Sequence, residues 1–170
     1  MTRLTIAPLC AGALLASTLA AAPAAAATDD ARGRATVLRQ ISVTRTGDLD
    51  FGTILRGTTA GRVVINASTG ARTVTGGVIA AGGTPRRATF TITGTPNRIV
   101  TIRLTPTSTT LTNGSGGSML VNAFTLNGSA NRRLNAAGTI ALGVGARLNV
   151  AANQADGNYT GTFTLTINYQ

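Results

Sequence analysis

The last thirteen residues constrain this chain most. From Asn158 to Gln170, Tyr159, Gly161, Phe163, Leu165, Ile167 and Tyr169 alternate with Thr160, Thr162, Thr164, Thr166, Asn168 and Gln170. A period of two sends the first set to one face of a strand and the second to the other. One face is aromatic and aliphatic. The other is threonine and amide, and threonine favours a pleated backbone even where it meets water. Asp156-Gly157 precedes the stretch as a turn. The segment is expected to be the last strand of a sheet, and the rest of the chain must supply what its apolar face packs on. Gly161 marks a shallow point on that face.

The same patterning recurs upstream. Expected strands are Ala35 to Arg45 (with Ala35, Val37, Ile41 and Val43 on one face), Leu49 to Leu55, Gly61 to Asn66, Arg72 to Ile79, Arg87 to Thr93, Ile99 to Leu104, Met119 to Leu126 and Gly138 to Val150. Gly, Pro, Asn and Asp turns divide them. Gly52 signals a bulge or a close backbone approach. Leu111 to Ser118, with Asn113-Gly-Ser-Gly-Gly117, reads as the most flexible loop, Asn127 to Arg133 as a polar loop, and Ala151 to Asp156 as a short helical turn. No long amphipathic helix appears and no fixed repeat marks a solenoid. Polar faces on many runs exclude a fully buried parallel sheet. The expected fold is all-β: an immunoglobulin-like, pilin-like, two-sheet antiparallel β-sandwich. Its expected core is Phe51, Phe90, Ile102, Phe124, Leu142, Phe163, Leu165 and Ile167.

The first residues read differently. Arg3 is followed by an apolar run from Ile6 to Ala22, then by the small-residue site Ala25-Ala26-Ala27. This is the layout of a cleaved secretory signal peptide at residues 1–27. Pro8 and Pro23 interrupt the run, and the residues around Cys10 do not fit a lipoprotein site. Residues 28–34 are then a flexible leader and 35–170 a single β-sandwich domain. No membrane span is expected once the signal is removed.

Composition excludes most chemistry. Histidine, lysine, glutamate and tryptophan are absent, and the one cysteine, Cys10, lies in the signal. Neither a Ser-His-Asp nor a Cys-His site can be built, nor usual zinc or haem ligation. No catalytic, cofactor-binding or metal-binding residue is assigned, and the chain is expected not to be an enzyme. Glycoside hydrolysis needs two placed carboxylates. Of Asp29, Asp30, Asp48, Asp50 and Asp156, two lie in the leader and one in a turn. Asp48 and Asp50 are read as satisfying turn amides in preference to holding calcium. Beyond the signal, 14 arginines face five aspartates. They are scattered, aromatics for stacking are few, and the arginines are read as solvated surface residues with no nucleic-acid role.

Four stretches carry a family resemblance: Asp48-Leu-Asp-Phe-Gly52; Ala88-Thr-Phe90 before Gly94-Thr-Pro-Asn97; Leu142-Gly-Val-Gly-Ala-Arg-Leu148; and Gly157 to Tyr169. In order and spacing they resemble the bacterial family called domain of unknown function 4402, over nearly all of the chain past the signal. The resemblance implies a secreted domain without an established activity. The early Phe-Gly element and the Gly-x-Tyr ending with a penultimate aromatic are also similar to chaperone–usher pilins and spore coat U-type subunits, although many such pilins carry a disulfide and this chain has no cysteine past the signal.

The functional expectation is a non-enzymatic structural or adhesive subunit of the envelope, secreted to the periplasm or cell surface of a Gram-negative bacterium. Its partners would be copies of itself or related subunits, and a periplasmic chaperone. Assembly would proceed by pilin-like strand exchange, a form of β-augmentation. The candidate donor face is Ala31, Gly33, Ala35 and Val37; the acceptor face is Tyr159, Gly161, Phe163, Leu165, Ile167 and Tyr169. Against the donor role, Ala35 to Arg45 is preferred as the domain's own first strand, since Ala and Gly bury little area. The alternative function is a monomeric secreted binding module for carbohydrate or an anionic envelope polymer.

Overall fold

The computed structural model describes residues 28–170; the expected signal peptide lies outside them. The chain divides into two units, Met1–Ala35 and Thr36–Gln170. In the first, the described residues 28–35 are exposed and outside every strand.

The second unit is antiparallel β throughout. Its strands are β1 Ser42–Gly47, β2 Ile54–Leu55, β3 Gly61–Ile65, β4 Arg72–Gly76, β5 Ile79–Ala80, β6 Ala88–Thr93, β7 Ile99–Thr105, β8 Thr109–Thr112, β9 Ser118–Leu126, β10 Asn131–Arg133, β11 Thr139–Val150 and β12 Thr164–Tyr169. β11 is the spine. Its first half pairs with β6 and its second half with β3, while β9 runs along its opposite edge. β1 extends this sheet beyond β6, β4 beyond β3 and β8 beyond β9. A second sheet has the order β10-β7-β12, and β2 pairs with β5 alone.

Two apolar clusters fill the interior. Ala88, Ile92, Leu142 and Val144 of the large sheet meet Val100 and Ile102 of β7, with Leu165, Ile167 and Tyr169 of β12 packed alongside. Here two sheets face each other as a sandwich. The other cluster gathers Val63, Ile65, Met119, Val121, Leu148 and Val150 from the large sheet under Phe51 and Val78. Leu49 and Phe124 touch both clusters, making the interior continuous. Phe163 meets Phe90 edge-on at 6.4 Å and Phe124 at 5.1 Å. Phe51, Ile102 and Leu142 are buried as expected; Phe90, Phe124, Phe163, Leu165 and Ile167 are only partly buried.

Several expected boundaries are corrected. Ala35 to Arg45 is not one strand: β1 starts at Ser42, and residues 35–40 are exposed. The final strand is β12 alone; upstream of it, only Thr160 makes a ladder pair, with Thr112. The glycine-rich loop is shorter and more ordered than its composition implies. Thr109–Thr112 is β8, and the Asn113 side-chain oxygen accepts the amides of Ser115 at 3.0 Å and Gly117 at 2.9 Å, an Asx-type turn. The polar loop after Leu126 contains β10 and leads into fully buried Leu134. No helix forms at Ala151 to Asp156.

Candidate functional site

The second sheet is narrower than the first, and that mismatch opens a seam. β1 pairs only with β6, and β12 only with β7, so each presents an unpaired edge. Strand Val43 stands directly opposite Ile92 and therefore shares its inward face. Ile92 is 0% exposed, yet Val43 is 40% exposed. The cover over the inward face of β1 is missing. The inward residues of β12 show the same deficit: Leu165, Ile167 and Tyr169 are each only partly buried.

Beyond Arg45 the seam widens into a cleft of about 870 Å³. One wall is the segment from Asp48 to Ile54; the other is Gln154 to Phe163; Met119, Val121, Leu148 and Val150 form the floor. These floor residues are already buried. On the first wall, Asp50 exchanges both backbone hydrogen bonds with Arg86 at 2.9 Å. On the second, Thr160 exchanges both with Thr112, at 2.9 and 3.0 Å. Successive residues of an extended chain turn their groups to opposite sides. Tyr159 and Gly161 therefore direct theirs away from β8, and no backbone bond to either is present among the described residues.

Both ends of the opening are tied. At one, the Tyr169 hydroxyl donates to the Arg39 carbonyl at 2.6 Å and accepts the Thr95 amide at 2.7 Å. The Arg39 amide donates to the Thr95 hydroxyl at 2.6 Å. At the other, Arg56 donates to the Gln154 carbonyl at 2.6 Å and lies 3.4 Å from Asp156, while the Asn153 amide donates to the Gly57 carbonyl at 3.0 Å.

The expected acceptor residues have unlike roles. Phe163, Leu165 and Ile167 face the second core cluster. Tyr159 anchors the far wall: its hydroxyl donates to the Ala155 carbonyl at 2.7 Å and accepts from Gln154 at 2.8 Å. Gly161 is not an empty point. A Cβ there would meet the Thr110 carbonyl oxygen at 2.8 Å and Leu111 at 2.7 Å, so the glycine lets this wall approach β8. The expected donor residues Ala31, Gly33, Ala35 and Val37 are all exposed, Val37 by 94%. Missed from sequence were Val43 and Arg45 as one lip of the seam, and Arg56 as its strap.

Many arginines are not simply solvated. Arg72 donates to the carbonyls of Phe51, Thr53 and Gly82 at 3.0 to 3.1 Å, clamping the first wall to β2 and β5. Arg87 holds the Ala67 carbonyl and Arg133 that of Asn97. Arg132 holds Ser129 and Asn127, and burial pushes its pKa down from the usual arginine value. Asp50 accepts the Gly52 amide at 2.8 Å and Asp48 pairs with Arg45 at 2.7 Å, in line with the turn-capping role expected of them.

Among the described residues, no helix is long and apolar enough to cross a membrane. No curated protein and no solved structure matches the chain. The family described as a domain of unknown function (DUF4402) matches residues 41–169, from the residue before β1 to the end of β12 with the whole seam included, and the chain belongs to that family.

Proposed function

We propose that this protein is a non-enzymatic structural or adhesive subunit of the bacterial envelope, secreted to the periplasm or cell surface, and completed by an extended strand from a neighbouring chain. The observation that carries this reading is the seam between β1 and β12. Both strands have a free edge, and Val43, on an inward face, is 40% exposed. A strand laid between them would satisfy backbone groups on each side and cover apolar side chains, as in β-augmentation. A periplasmic chaperone is a natural partner for such an unfinished edge before assembly.

The test is fractionation of the native bacterium carrying an epitope-tagged copy. The reading expects the protein outside the cytoplasm, in complexes several times the monomer mass that withstand high salt. A cytoplasmic location, or a monomer at native abundance, ends it. The second reading, a binder of anionic polymer, rests on exposed Arg62, Arg98 and Arg103, which belong to two different sheets. Binding to an anionic polysaccharide that falls steeply with salt would favour it.

A further inference from the structure

We infer that the occupant of the seam is the segment Thr28–Leu38 of a second copy of this chain, and that its uptake is reversible. The inference rests on the reading of the seam as a strand acceptor.

Length is the first argument. Thr28–Leu38 has eleven residues, and so has Tyr159–Tyr169, the wall and strand along which it would lie. Two extended segments of equal length run side by side at the same rise per residue.

Charge is the second. The chain has five aspartates. Asp29 and Asp30 are in the leader, and Asp48, Asp50 and Asp156 line the cleft. The leader also brings Arg32 and Arg34, and the cleft Arg45 and Arg56. All the negative charge of a strongly basic protein thus sits in the two surfaces that would meet, each with arginines of its own. Such alternation holds a register and disfavours strands of one sign.

Shape is the third. The floor of the cleft is already closed, with Val121 1% and Leu148 2% exposed. Little room remains for bulky side chains, and Ala31, Gly33, Ala35 and Val37 are small. Affinity then comes from backbone pairing more than from apolar burial, which makes the association weaker and reversible.

The chain's own leader is poorly placed to do this. Arg39 is tied to Tyr169 and Thr95 at one end of the opening. To run back along the seam, the leader would have to reverse directly upstream of that tie. A reversal uses about four residues, leaving too few to span the eleven opposite. A second copy has no such limit. Donor segment and acceptor seam are different surfaces, so the contact is heterologous and propagates into open chains or rings.

The test uses the chain from Thr28 to Gln170 and a variant carrying Arg32→Pro and Arg34→Pro, which removes two backbone donors from the leader. Sedimentation velocity should show oligomers of the unaltered chain growing with concentration and dissolving on dilution. The proline variant should stay monomeric while binding a labelled Thr28–Leu38 peptide. The same peptide with both prolines should bind about tenfold more weakly. A third probe is an eleven-residue peptide with valine at the four inward positions. If the unaltered chain stays monomeric and only the valine peptide binds, the seam accepts a strand but not from a second copy, and this inference fails alone. If no peptide binds at any concentration, the inference and the acceptor reading fail together.

Discussion

The Tyr169 phenol donates to the carbonyl of Arg39 at 2.6 Å, joining positions 130 apart in sequence. The same oxygen accepts the Thr95 amide at 2.7 Å. One side chain near the end of the chain therefore fixes where the domain begins and closes one end of the seam. Tyr169→Phe should cost about 1–3 kcal/mol, because it leaves the partly buried Thr95 amide unsatisfied. Urea unfolding midpoints of the two proteins give the answer; equal midpoints would mean that water replaces the hydroxyl without loss.

Leu142 and Leu165 both face the sandwich interior but differ in burial. Leu142 is 1% exposed, while Leu165 borders the open seam. Leu142→Ala should cost about 2–5 kcal/mol and Leu165→Ala clearly less, since a partly wet site leaves a smaller cavity. Thermal melts of the two variants should rank in that order. The reverse order would place the seam elsewhere.

Gly145 lies on β11 where a Cβ would fall on the Ile65 carbonyl oxygen and 2.6 Å from the Ala67 amide nitrogen. Both obstacles are backbone, so neither can swing aside. Gly145→Ala should destabilise by about 3 kcal/mol or more, at the upper end of overpacking costs. Soluble yield and melting temperature report it; a melting temperature within a degree of the parent's would show that β3 and β11 can move apart freely.

Arg72 is expected to hold one wall of the cleft through the carbonyls of Phe51, Thr53 and Gly82. In Arg72→Ala, hydrogen exchange should quicken at the Thr53 and Ala81 amides, whose acceptors lie in this clamped region. The amide of Ile92, in the large sheet, should exchange as before. Uniform acceleration across the domain would mean global destabilisation in place of a local clamp.

The all-β architecture was legible because Phe163, Leu165, Ile167 and Tyr169 alternate with polar residues, and because β6, β7 and β11 repeat that pattern. The core was less legible. Period two identifies a face, but only the width of the opposing sheet decides how deeply that face is covered, and β10-β7-β12 stops short of Val43 and Leu165. β8 and β10 were missed because threonine, asparagine and arginine gave them loop-like composition. Their strand character comes from pairing partners, Met119 to Val121 and Ile99 to Thr101. Tertiary roles of arginine were invisible for a similar reason: the carbonyls Arg72 reaches are 10 to 21 positions away. The cleft was foreshadowed only by the apolar face of the final strand, since its strap joins Arg56 to a carbonyl 98 positions distant.

The ties at Tyr169 and Arg56 bear on how an assembled chain would carry force. A guest strand held between two fastened ends cannot be peeled away one hydrogen bond at a time from a loose tip. A pull along the filament would load its backbone bonds together, in shear. Assembly held by weak pairing can thus be easy to dissolve by dilution and still resist a sudden tug, a useful combination at a cell surface swept by flow.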